Sequence, residues 1–165
     1  MIFIAYSGIG FGTFRNMTTT KELIRKCAID QEDEITFRTD ADVLRLFGRD
    51  AKIFQRSFAK HPYEKGVHIW FPIFYDEANN DWENTKRVDW ETVFERRKHD
   101  NPAYLAEQFD SPERHIRILF AKMERGGEKY YEFKGIYMFD PDESRKAMKA
   151  AFRRIANSAK LYPVE

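Results

Sequence analysis

The stretch that most constrains the fold is the last third of the chain. His115 to Met123, a Gly126-Gly127 turn, Lys129 to Phe139 and a capped basic segment follow one another without interruption. Two long runs rich in branched and aromatic residues, joined by a glycine pair, read as a β-hairpin. On the second strand, period-2 geometry puts Glu132 and Lys134 on one face and Tyr131, Phe133, Tyr137 and Phe139 on the other. Asp140 as N-cap, Pro141 at N1 and Glu143 at N3 suit the exposed amides of a helix start. Met148, Ala151, Phe152 and Ile155 are then spaced as its inner stripe. These signals predict an α+β fold with a curved, mainly antiparallel sheet flanked by helices.

Upstream, Ile2 to Tyr6 reads as a strand and Ser7 to Asn16 as a glycine-rich loop. Thr19 with Glu22 forms a capping box for a helix through Cys27. Ile35 to Arg38 predicts a strand, and Thr39 or Asp40 caps a helix through Phe47 that Gly48 ends. Lys52 to Phe58 and Val67 to Tyr75 read as strands, the second with Pro72 at an edge or bulge. Asp76 to Lys86 is polar and reads as a surface loop. Asp89 opens a helix through Lys98 that buries Trp90, Val93 and Phe94, and Asn101-Pro102 opens a second one ending near Phe109. The 165 residues, 42% hydrophobic, suit one domain spanning 1–165. The single cysteine, Cys27, is expected to be packed and cannot form an internal disulfide, which points to a reducing, cytoplasmic setting. No window reaches membrane-spanning length, so no membrane partner is expected.

The net charge of +1 is unevenly spread: +2 over residues 1–75 (11 basic, 9 acidic), −5 over 76–110 (5 and 10) and +4 over 111–165 (12 and 8). A basic C-terminal third can meet phosphates, although solvated helix faces give similar excesses. Gly8, Gly10 and Gly12 lack the spacing of a dinucleotide loop. His61, His68, His99 and His115 lack metal-ligand spacing, so neither a cofactor nor a resident metal is expected. Gly135-Ile136-Tyr137 spells half of a GIY-YIG signature without its second half. Glu132-Phe133-Lys134 resembles the E-x-K half of PD-(D/E)xK nucleases, with Asp110 as a second Mg²⁺ ligand. That alternative competes with a plain solvated strand face.

The run Ile116-Arg117-Ile118-Leu119-Phe120, followed by Tyr130 to Tyr137 and a basic segment, resembles PUA-like and SRA-like β-barrel domains that accompany DNA restriction systems. The resemblance covers residues 115 to 160. It implies a curved sheet holding nucleic acid, a reader without catalysis, and for SRA members the flipping of a modified cytosine. The leading expectation is therefore a nucleic-acid-binding domain, DNA more than RNA, that recognises a modified or flipped base. Tyr75 and Trp82 are the expected base contacts and Asn80 and Asp81 the edge hydrogen bonds. Arg117, Lys134, Arg145, Lys149 and Arg153 are the expected phosphate ligands. The alternatives are the Mg²⁺-dependent nuclease using Asp110, Glu132 and Lys134, or a protein-interaction domain anchored by Trp82. Nothing in the sequence sets an oligomeric state.

Overall fold

A computed structural model describes residues 19–51 and 57–164. The expectations for Ile2 to Tyr6, Ser7 to Asn16 and most of Lys52 to Phe58 lie outside these residues. In chain order the elements are α1 (Thr20–Lys26), β1 (Ala28–Asp30), β2 (Thr36–Phe37), α2 (Asp40–Leu46), β3 (Phe58–Lys60), β4 (Val67–Trp70), β5 (Trp82–Lys86), β6 (Thr92–Arg97), α3 (Asn101–Asp110), β7 (Ile116–Arg125), β8 (Glu128–Phe139), α4 (Pro141–Ala147), β9 (Ala150–Ala156) and β10 (Ser158–Lys160), with short 3₁₀ turns between some of them. The main sheet runs β3-β4-β7-β8-β9-β6-β5, with β2 added beside β8. Within it β4 and β7 are parallel, and β1 pairs with β10 separately. The sheet curls into a half-barrel.

The local capping signals act as expected. Thr19 and Thr39 each accept from the backbone three residues on and receive the reciprocal acidic side chain, closing capping boxes on α1 and α2. Cys27 ends α1 in the left-handed region at φ 52 and is exposed rather than packed, because the C-cap position turns its side chain off the helix.

Four segments differ from the sequence reading. The polar segment 76–86 ends in strand β5. The expected helix from Asp89 to Lys98 is strand β6, paired with β5 from Trp82↔Arg97 to Lys86↔Val93. The final helix stops at Ala147, where Met148 takes φ 54, and the chain re-enters the sheet as β9 between β8 and β6. Met148 and Ile155 are consequently exposed while Ala151 and Phe152 are buried. Ser144 fastens this reversal: its Oγ donates to the Asp140 carbonyl and accepts from Ala151 N at 2.8 Å. The strand expected over Val67 to Tyr75 ends at Trp70. Beyond it Pro72 O accepts from Lys122 N, and Ile73 makes an isolated parallel bridge to Lys122.

The hairpin β7–β8 carries the curl. Its register passes from Phe120↔Phe133 to Leu119↔Gly135, which leaves Lys134 as an extra residue. Gly135 sits at φ +124, and a Cβ there would lie 2.6 Å from the Ala156 carbonyl oxygen, so the bulge needs glycine. One extra residue inverts the parity of the strand. Tyr131 and Phe133 therefore enter the core facing α1 and α2, whereas Tyr137 and Phe139 enter a second core inside the half-barrel, and the four rings do not share one face. Fully buried Trp70, Tyr137 and Phe152 dominate this inner core, each contributing about 2–3 kcal/mol by apolar transfer.

Candidate functional site

The mouth of the half-barrel, between α3 and strands β3 to β7, holds a cavity of about 240 Å³. It has aromatic walls (Phe58, Trp70, Trp82, Tyr104) and a polar floor (Glu95, Gln108, Arg117). Each strand supplies its side chain by alternation. Glu95 shares the inward face of β6 with Val93, and Tyr104 and Gln108 lie four apart on the inner stripe of α3. Arg117 is only 3% exposed and is caged by rings, its guanidinium carbon 4.0 Å from the Phe152 centroid, 4.7 Å from Phe58 and 4.8 Å from Trp70. All three of its nitrogens are engaged, with the Arg114 carbonyl at 3.1 Å, Glu95 Oε1 at 3.4 Å and Gln108 Oε1 at 2.7 Å.

Tyr104 donates a short hydrogen bond to the same Glu95 oxygen. Burial and the adjacent Glu95 carboxylate push its phenol far up, so it stays a donor. Behind the wall His68 stacks on Phe58 at 4.3 Å. Burial, reinforced by the Arg117 charge, lowers it to about 4, so its ring is neutral near pH 7. The resulting network holds one Glu95 oxygen in place, and Gln108, whose Oε1 accepts from Arg117, lines the same cavity. A flat ring with an amino group and a neighbouring acceptor matches such a site.

Trp82 is half-buried and meets Tyr104 edge-on at 4.8 Å. It is a wall of this cavity and also of a second, more open one of about 730 Å³, which contains Tyr75, Asn80 and Asn84. Asn84 lies directly across the β5–β6 ladder from Glu95. Its Nδ2 donates to the Ile73 carbonyl at 3.1 Å, and its Oδ1 is buried without a hydrogen-bond partner among the described residues. Such an acceptor calls for a donor that the described residues do not supply.

Of the four expected base contacts, the structure thus brings Tyr75, Asn80 and Trp82 to one cavity. Asn80 Oδ1 accepts from Trp82 N, fixing the approach to β5. Asp81 lines neither cavity. It accepts from Arg97 Nε at 2.9 Å and lies 2.6 Å from His99 Nδ1, and these partners, His99 first, hold its carboxyl down to about 2.

The five expected phosphate ligands are all engaged by carboxylates. Arg117 is the clearest correction, because its burial beside Glu95 keeps it from the surface a DNA backbone would follow. Lys134 is buried at the bulge, 2.9 Å from Glu132 and 4.5 Å above the Trp90 ring. Arg145 pairs with Asp142 at 3.1 Å, Arg153 lies 3.8 Å from Asp140 and Lys149 4.0 Å from Glu83. Asp110 is the exposed last residue of α3, and no group of three or more His, Cys, Asp or Glu side chains is arranged for a metal ion among the described residues.

Phe58, Glu95, Tyr104 and Gln108 escaped the sequence reading. The i, i+4 pair on α3 and the Val93-x-Glu95 alternation were the available signals, and the helix reading of 89–98 hid the second.

With this geometry in hand, comparison with known proteins is informative. The family model described as SET and RING associated (SRA) domain matches residues 22–161. Among solved structures, the chain is similar to "The 5-Hydroxymethylcytosine-Specific Restriction Enzyme AbaSI", with a TM-score of 0.72 and 28% sequence identity over 88% of this chain. It spans 46% of that chain's length. No curated protein sequence matches. No helix among the described residues is long and apolar enough to cross a membrane.

Proposed function

The chain belongs to the SRA family, and on that footing we propose that it reads modified cytosine in DNA by receiving the flipped base in the half-barrel cavity. The carrying observation is the Glu95 carboxylate, held by Arg117 and Tyr104 and opening between aromatic walls. Trp82 offers a ring face to the base, and Phe58, stacked on His68, closes the wall beside it. The free Glu95 oxygen accepts from the exocyclic amine at C4, and the Gln108 amide donates to the neighbouring ring acceptor. Extrusion costs a few kcal/mol of unstacking, which the cavity must recover.

The substituent at C5 adjoins the C4 amine, and Asn84 is the cross-strand neighbour of Glu95. A hydroxyl on that substituent satisfies the unpartnered Asn84 Oδ1, and a hydrogen atom or methyl group leaves it bare. AbaSI, to which the chain is similar, is a 5-hydroxymethylcytosine-specific restriction enzyme, and a hydroxymethyl group fits this acceptor.

Titrating duplexes that carry one cytosine, 5-methylcytosine or 5-hydroxymethylcytosine tests the reading. The wild-type chain should prefer the hydroxymethylated duplex, Asn84→Ala should erase that preference over methylcytosine, and Trp82→Ala should weaken binding by about 1–3 kcal/mol. Equal wild-type affinity for all three duplexes would refute it.

A further inference from the structure

On the other side of the strand that walls the base cavity lies a cleft of about 590 Å³ whose lining includes Arg38, Lys122, Lys129, Tyr131 and Ser57. The two spaces share Ser57, and Trp70 of the cavity is followed directly by Phe71 of the cleft. The rim between them is one backbone hydrogen bond, Phe71 N to Ser57 O at 2.8 Å. A nucleotide whose base drops over this rim leaves its neighbouring phosphates on the cleft side.

The cleft gathers three cations, of which Lys129 alone is ion-paired among the described residues. Arg38 is exposed and forms no ion pair among the described residues. Lys122 is half-buried and faces the Tyr131 ring at 5.7 Å. Lys129, 46% exposed, shares only Glu77 at 3.2 Å and lies 4.9 Å over the Tyr75 ring. Arg38 and Lys129 continue into an adjoining groove of about 510 Å³ that adds Arg125 together with Glu34, Glu128 and Glu132. Within the cleft itself two carboxylates, Asp40 and Glu77, face these groups. Asp40 turns inward, accepting from Ala41 N at 2.8 Å, and burial raises its pKa, which weakens its opposition to an anion. Glu77 is the direct competitor for Lys129.

We propose that Arg38, Lys122 and Lys129 seat the DNA backbone phosphates beside the flipped nucleotide. This inference rests on the reading of the cavity as a base site. Contacts of this kind position the duplex and carry no sequence or modification preference themselves. Each phosphate neutralised releases counterions, so each contact adds about 0.9 to the slope of log affinity against log salt.

The test measures that slope from 50 to 200 mM salt, on cytosine and hydroxymethylcytosine duplexes, for wild type, Arg38→Gln, Lys129→Gln and Glu77→Gln. The two cation variants should each flatten the slope by about 1 and weaken both duplexes by the same factor, leaving the modification preference intact. Glu77→Gln, which releases Lys129, should tighten both. Unchanged slopes in a chain that keeps its modification preference would overturn the phosphate seat while sparing the base site. A wild-type chain that distinguishes no duplex would overturn the base site and this inference with it.

Discussion

Arg117 and Glu95 form a buried pair, with side chains 4% and 9% exposed, and their coupling can be measured directly. At 3.4 Å an ion pair in an effective dielectric of 20 has a gross Coulomb attraction of about 5 kcal/mol, most of it offset by desolvation. Arg117→Met keeps the apolar stem inside the cage of Phe58, Trp70 and Phe152 but strands the Glu95 carboxylate, with Tyr104 as its remaining donor. The expected cost is about 3–5 kcal/mol. Glu95→Gln should cost less, because the stranded cation still faces three ring quadrupoles and two carbonyl-type acceptors. The double variant removes both charges from the interior, so its loss should fall short of the sum of the singles by about 2 kcal/mol or more. Urea unfolding followed by tryptophan fluorescence supplies the four free energies. Additivity within about 0.5 kcal/mol would refute the argument, since it would mean that neither charge feels the loss of the other.

Two further outcomes follow from the same core. His68 binds its proton near 6.5 when unfolded but only near 4 in the fold, so between those values the unfolded chain holds more protons and stability falls as pH drops. The loss should reach up to about 3 kcal/mol by pH 4, and unfolding curves for His68→Phe should lack this component; an identical pH profile would assign it elsewhere. Gly135→Ala should cost about 2 kcal/mol or more, because its Cβ meets the Ala156 carbonyl at 2.6 Å and its φ is +124; for a chain of this size the melting temperature should drop by about 4–8 °C, and an unshifted value would contradict the bulge.

The parts of the fold legible in the sequence are those whose cause is local. Thr19 with Glu22, the Thr39 or Asp40 cap, Asp140 with Pro141, and the Gly126-Gly127 turn each act within a few residues, and the structure places the second cap at Thr39. The second half of the expected final helix failed for a tertiary reason. Ala150 to Ala156 is rich in Ala and Arg, residues that favour helix, yet the segment fills the gap between β8 and β6, where pairing on both sides overrides propensity. Gly135, lacking a Cβ, signals a bulge or a close backbone approach, but nothing local shows that the extra residue at Lys134 inverts the parity of the strand, and so Tyr137 and Phe139 were assigned to the wrong face.

Strand β6 was hidden by the feature that gives the site its chemistry. A half-buried strand advertises itself through apolar residues at alternate positions, and here one inward position holds Glu95, so the alternation breaks where the cavity needs a carboxylate. A buried charge is tolerable only with partners, and those partners, Tyr104 and Arg117, come from a helix and a strand that the chain reaches 9 and 22 residues later. No short motif can encode that convergence. Trp82 was legible because it stands out among polar neighbours, whereas Glu95 was masked by a helical-looking run. Local pattern and global fold conflict most sharply at Glu95, which is what the proposed base contact at this residue entails.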